Sequence, residues 1–502
     1  MRVPRIKVSR VSLLAGLYLF AATAPRIAAF LLLPVYAFVL PPDQLAAYGV
    51  AISLASLIGI LSDAGVVPGM GATYWLQPEE ARASYLKSAI ILSRVLSVLI
   101  MIPIGFLMSA FWDRLFGSGL REAEGLWLIL AFAFLQRGNT LAGAIYRYRR
   151  QHKQFALTRI LPASVQVVTG ALFVFVLRWG ALGAVAAAPL GFMVSIVIVG
   201  LRRSQEETAP FKMLSWAQAR EVVARGAPIL PEQLARWAQM LSLRPLMSLL
   251  TTLRATADFT FSSAPSQLVA PFSEAYEQFI TPRYYESSSK HDLTTIGRLR
   301  EITSVFMALG AAGTIVAIVA FDPVFRAFAP TAYQDTSGLA AIGLAGMVLR
   351  GPMALLVHNM RIEDRRLGLV GTVAIATLVS YLQFFLLVKS FGAYSAAWSV
   401  YLYPAVACAF SFAFTPSKRL RLVSGRDLLT TGLVVAGVLL IMVGLRARSS
   451  PTQPIEHLWL LALIGLIGIG IVAWLVIRPH LDATLAVVRG GLTAPHQKEA
   501  QD

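Results

Sequence analysis

Between Val11 and Leu40 the chain runs thirty residues with a single charged side chain, Arg26. At a rise of about 1.5 Å per residue, such a run is long enough to cross a hydrocarbon layer about 30 Å thick as helix. Windows of this kind recur along the chain, and only a helix satisfies every backbone N–H and C=O within one segment of that length. The composition agrees: 57% of the 502 residues are hydrophobic and 14% charged, against about 45–50% and 25% for a soluble domain. The expected class is an all-α, polytopic membrane protein.

Apolar runs separated by charged or turn-forming residues place spans near 11–39, 44–64, 86–111, 123–144, 157–177, 179–201, 227–250, 256–279, 301–321, 335–357, 367–388, 391–415, 428–445 and 457–477, fourteen in all. The opening MRVPRIKVSR followed by an apolar stretch and AATA imitates a secretory signal. Apolar sequence resumes at once with IAAFLLLPVYAFVL, however, so a retained first span is expected.

Basic residues test the count, because a missed or invented span would scramble their alternation between the two faces. The loops and termini of one face carry 30 Lys plus Arg and those of the other carry eight. Both termini are therefore expected in the cytoplasm, and most of the net charge of +18 is topological rather than a sign of nucleic-acid binding.

Six basic residues remain, all arginine and all inside spans: Arg26, Arg94, Arg137, Arg236, Arg244 and Arg350. At about 2.5–3.5 kcal/mol each at mid-bilayer, six lipid-facing arginines would cost roughly 15–21 kcal/mol, more than the net stability of a typical fold. Arg94, Arg137 and Arg350 are candidates for snorkelling or for pairing with a nearby acid. Arg26, Arg236 and Arg244 lie deeper. Glu232 stands four residues before Arg236, and Asp258, Glu274 and Glu277 belong to span 8 or its ends. The acids are fewer than the arginines need, which points to a wet cationic cavity. Its expected guest is an anion, since guanidinium's planar fork matches phosphate. The expected binding residues are Arg26, Arg236 and Arg244, with Arg94 and Arg137 in support; Glu232, Asp258 and Glu274 are expected in coupling or charge pairing.

Spans 1 and 7 look like counterparts. Arg26 precedes Pro34 by eight residues with AAYG following, and Arg236 precedes Pro245 by nine with ADFT following. A repeat of about 210 residues divides the chain into lobes at 1–205 and 206–415, with spans 13 and 14 and a short tail in 416–502. Between the lobes, RRSQEETAPFKMLSWAQAREVVARG carries Met213, Leu214, Trp216, Val222 and Val223 among charges, consistent with a short helix on the cytoplasmic face. GLTAPHQKEAQD reads as a disordered tail.

The single cysteine, Cys408, rules out an intramolecular disulfide and, with six scattered histidines, offers no metal-ligand spacing. No phosphate-binding glycine loop appears. No cofactor and no metal are expected, and the short outward loops argue against an enzyme.

With RIAAFLLLPVYAFVLPPDQLAAYGVAISL, LSDAGVVPGMGATYW and VFRAFAPTAYQDTSGLAAI, the chain resembles the O-antigen and exopolysaccharide flippases of the multidrug, oligosaccharidyl-lipid and polysaccharide (MOP) exporter superfamily. That resemblance implies two six-helix lobes plus a final pair. It also implies passage of undecaprenyl-diphosphate-linked oligosaccharide across the bacterial inner membrane for surface polysaccharide or lipopolysaccharide assembly. Implied partners are the lipid-linked substrate, the bilayer, and a polysaccharide polymerase or export machinery. Many members place an aspartate in span 7, where this chain has SLRPLMSL, so cation coupling does not carry over. The alternatives are a drug or cation antiporter of the same superfamily and, further off, a membrane glycosyltransferase or polymerase.

Overall fold

A computed structural model describes residues 10–74, 77–149, 151–200, 215–266, 292–362, 366–414, 422–448 and 458–478, with residues 269, 276, 280, 284 and 287 between them. Secondary structure among these is entirely helical. Met213, Leu214, Glu274 and the C-terminal dozen residues lie outside the described residues.

The first part of the chain forms α1 (Arg10–Val39), α2 (Pro42–Asp63), α3 (Val66–Thr73), α4 (Glu79–Ala110), α5 (Trp112–Phe116), α6 (Glu122–Tyr148), α7 (His152–Ala171), α8 (Gly180–Gly200), α9 (Trp216–Gly226), α10 (Leu230–Met240), α11 (Leu243–Leu250) and α12 (Leu253–Ser262). There follow α13 (Leu293–Phe328), α14 (Ser337–Ile362), α15 (Arg366–Phe391), α16 (Ala393–Phe414), α17 (Gly425–Arg448) and α18 (Leu458–Val472). Among the described residues, ten helices are long and apolar enough to cross a membrane, and Thr23–Val39 and Leu463–Ile477 are shorter apolar helices.

Spans 7 and 8 depart from the expected form. The seventh breaks at Leu241–Ser242 into α10 and α11, and the eighth starts as α12 before leaving the described residues. Other helices begin earlier than the apolar run alone suggests. Span 3 starts at Glu79 rather than near 86, because Glu79 and Glu80 suit the positive end of a helix. The stretch 65–87, expected as a loop, contains α3 and the start of α4.

Contacts group the chain into two units, Met1–Pro271 with Leu387–Ala396, and Phe272–Leu386 with Ala397–Asp502. In the first, α2 is the hub and packs against α4, α6, α8, α10, α11 and α12. Its sequence explains the role: Ala46, Ala47, Ala51 and Ala55 are buried and small enough to admit neighbours on several faces. Pro42 starts α2, where a missing N–H costs nothing. Ala64 (φ 44°) and Gly65 (φ 82°) end it in left-handed geometry. Asp63 then accepts a hydrogen bond from the Val67 backbone N–H at 3.0 Å, in the first turn of α3. In the second unit α14 is the most enclosed span, α13 packs against α14, α17 and α18, and buried Ser304 donates to Asp427 at 2.5 Å.

Candidate functional site

Two arginines of the first unit are buried to the same degree, each 5% exposed. Arg137 on α6 forms a buried ion pair with Asp63 at the end of α2. Two residues along α6, Asn139 donates to the Thr158 carbonyl at 2.6 Å and accepts from Ser195 Oγ at 2.9 Å, joining α6, α7 and α8. Arg137, expected to support anion binding, is thus charge-neutralised inside packed helices, the pairing alternative raised for it.

Arg244 sits in the first turn of α11, directly after the break in span 7. Its Nη2 donates to Ser263 Oγ at 2.9 Å, and Ser263 donates onward to the Thr260 carbonyl at 2.9 Å. Among the described residues no carboxylate lies within 4 Å of this guanidinium, and its Nε has no hydrogen-bond partner. Tyr48 of α2 directly precedes Gly49, which packs against Thr260. Tyr48 meets Tyr36 of α1 edge to face, with ring centroids 5.1 Å apart. The Tyr36 hydroxyl and Thr260 Oγ1 are also buried without a hydrogen-bond partner.

The helices carrying these groups meet closely. A Cβ on Gly49 would fall 2.5 Å from Thr260 Oγ1, so only glycine lets α2 and α12 cross at that distance. Trp237 of α10 donates its indole N–H to the Ser53 carbonyl at 2.9 Å, fixing α10 against α2. Among the described residues, the cluster therefore combines a buried cation that has no carboxylate within 4 Å with buried hydroxyls that have no hydrogen-bond partner. Such groups are costly unless something supplies acceptor oxygens. Phosphate and sugar oxygens are suitable acceptors, and the guanidinium fork favours phosphate.

The other expected residues are placed as follows. Arg26 is half-buried on α1, which touches α2 and α12. Arg94 stands apart, exposed on α4 beside Val95, Val98 and Leu99, which are exposed as well. Arg350 is half-buried on α14 in the second unit. Asp258 pairs with Arg254 at 3.1 Å, one turn apart on α12. Arg236 and Glu232 lie on α10 with side chains outside the described residues, and Glu274 lies outside them altogether. The sequence reasoning missed Asp63, Tyr48, Thr260 and Ser263. Tyr48 and Thr260 were in view, since they belong to the AAYG and ADFT stretches that marked the internal similarity.

Residues 15–276, a stretch spanning both of these arginine sites, match the family described as "Polysaccharide biosynthesis protein". The chain belongs to that family. No curated protein sequence matches it. Solved structures with the same fold include the lipid II flippase MurJ in an inward closed conformation, at TM-score 0.67 and 13% identity, covering 92% of this chain and 99% of that one. The MATE multidrug transporter DinF-BH aligns at TM-score 0.61 and 14% identity, over 84% and 98%. An inward-facing multidrug resistance MATE family transporter of the MOP superfamily aligns at 0.58 and 15%, over 84% and 98%. This polysaccharide biosynthesis family member is thus a multi-pass membrane protein with the fold of the MOP-superfamily transporters.

Proposed function

We propose that the protein is a flippase that moves undecaprenyl-diphosphate-linked oligosaccharide across the bacterial inner membrane for surface polysaccharide synthesis. The observation that carries this reading is Arg244, a buried guanidinium without a carboxylate among the described residues, set beside Thr260 and Ser263. Arg244 receives a phosphate of the substrate, Arg26 and Arg236 on α1 and α10 supply further positive charge, and the polyprenyl tail stays in lipid. Transport needs no covalent step: lobes 1–205 and 206–415, with 416–502 appended, alternate access between the two faces. Both termini are cytoplasmic in this scheme. Two negative charges moving outward through the whole field gain about 4.6 kcal/mol per 100 mV, so the membrane potential favours export. A polymerase or export complex takes the product.

The drug or cation antiporter alternative needs free carboxylates in the site. Among the described residues Asp63 is paired with Arg137 and Asp258 with Arg254, while Arg244 has no carboxylate within 4 Å, a balance that favours an anionic guest over a cationic drug.

The test replaces Arg26, Arg236 and Arg244 by glutamine, singly and together, confirms membrane insertion, and measures surface polysaccharide with lipid-linked intermediates. Loss of polysaccharide with accumulation of intermediates is expected, most strongly for Arg244→Gln. Normal polysaccharide from all the variants would reject the site.

A further inference from the structure

The helix α9 joins α8 to the helices that carry the arginine site, and it is held in one orientation. Gly65, Gly69 and Gly226 bring α3 and α9 into backbone contact. A Cβ on Gly226 would fall 1.8 Å from the Gly65 carbonyl oxygen, and one on Gly69 would fall 2.0 Å from that of Val222. Polar bonds fix the roll about this contact. The Ser215 N–H donates to Ser88 Oγ at 3.1 Å, Ser84 donates to Gln218 at 3.3 Å, and Gln77 donates to Glu221 at 3.4 Å. Ala219, Val222 and Gly226 are buried on the inner face.

Trp216, 74% exposed, and Arg220, exposed as well, stand one turn apart on one flank of α9, while Arg225 is exposed on the opposite flank, the one that carries Gln218 and Glu221. Among the described residues neither arginine has a carboxylate within 4 Å. The helix's one acid, Glu221, is engaged with Gln77, while Glu79 and Glu80 belong to the first turn of α4. Ser84 and Ser88 lie on α4 just before its apolar run begins at Ala89, so α9 is bonded to the polar end of that span. An exposed indole one turn from a guanidinium at that end of the span matches a surface of phosphate esters with acyl chains beneath.

We propose that the flank of α9 carrying Trp216 and Arg220 docks anionic phospholipid headgroups of the leaflet on the side of the basic loops. The docking is independent of which substrate the protein moves. It ties lipid charge to the arginine site, because α9 continues through Ala227–Ile229 directly into α10.

Full-length protein in nanodiscs of phosphatidylcholine, with or without phosphatidylglycerol, tests this by amide hydrogen exchange over residues 216–226 and by native mass spectrometry of retained lipid. Phosphatidylglycerol is expected to slow exchange in α9 of the unmodified protein. Arg220→Gln is expected to lose that protection and to retain phosphatidylglycerol about fivefold less, with exchange elsewhere unchanged, whereas Arg225→Gln on the opposite flank is expected to keep both. Trp216→Ala is expected to weaken retention of both lipids. Equal exchange of the unmodified protein in the two bilayers would overturn the proposal, as would undiminished retention by Arg220→Gln. So would equal protection by inorganic phosphate without phosphatidylglycerol, or protection only on adding an acidic protein.

Discussion

Arg137 and Arg244 are equally buried and both neighbour the same hub helix, yet their surroundings differ in kind. At one end of α2, Asp63 meets Arg137 and the charges cancel inside packed helices. Farther toward its start, α2 crosses α12 at Gly49 and Thr260, and Arg244 bonds through Nη2 to Ser263 of the segment that follows α12, a hydroxyl rather than a carboxylate. A buried pair that loses one partner leaves an uncompensated charge and is costly to break. A buried cation that never had an acid is already costly, so evolution retains it only where something other than stability requires it. On the proposed function, the two positions separate an arginine held by packing from one kept for the substrate.

The largest effect is expected at the paired site. Asp63→Asn leaves Arg137 charged and alone, and should destabilise the protein by about 3–5 kcal/mol, seen as a large drop in unfolding temperature in detergent and in folded yield. Asparagine still accepts from the Val67 N–H, so the loss reports the ion pair. Adding Arg137→Met should recover most of it, since a well-packed apolar pair is often as stable as the ionic one. No recovery in the double variant would make Arg137 more than a structural charge.

Arg244→Met is expected to behave in the opposite way. Removing a buried cation without an acid should leave the unfolding temperature unchanged or raise it, while abolishing polysaccharide export. A stability loss as large as that of Asp63→Asn would erase the contrast, and would mean that Arg244 is held by groups outside the described residues.

The close crossing beside Arg244 gives an intermediate effect. Gly49→Ala places a methyl against Thr260 and should cost about 1–3 kcal/mol through overpacking. Thr260→Ala in the same chain removes Oγ1 and Cγ2, the two nearest atoms, and should restore part of that loss. Thermal unfolding of the two single variants and the double variant measures the coupling.

Much of this contrast was legible in the sequence. Apolar runs and their basic loops placed most of the helices, since one chemical requirement, burying backbone in hydrocarbon, dominates at each. The internal similarity paired AAYG with ADFT, and the last residues of those two stretches, Gly49 and Thr260, are the ones that touch. The partner of Arg137 was not legible. Asp63 lies 74 positions earlier at a helix end, and no periodicity connects residues on two different helices. The break of span 7 at Leu241–Ser242 was hidden because the apolar run continues through it. α3 was hidden because eight residues with two glycines read as a loop. Backbone contact at those glycines, rather than helix propensity, holds it in place.

The smallest effect bears on what surrounds Arg244 in the working protein. Ser263→Ala removes a hydrogen bond to its guanidinium. In a permanently dry site, a charged donor left unsatisfied would cost about 1.5–3 kcal/mol. In a cavity that opens to water during transport, a water molecule can replace the hydroxyl at little cost. The expected result is a loss below about 1 kcal/mol in thermal unfolding, with export slowed rather than abolished, because the guanidinium still meets the phosphate but is less well aimed. A loss at the upper figure would put Arg244 in the same class as Arg137, a charge serving the packing, and would move the search for the anion site to Arg26 and Arg236.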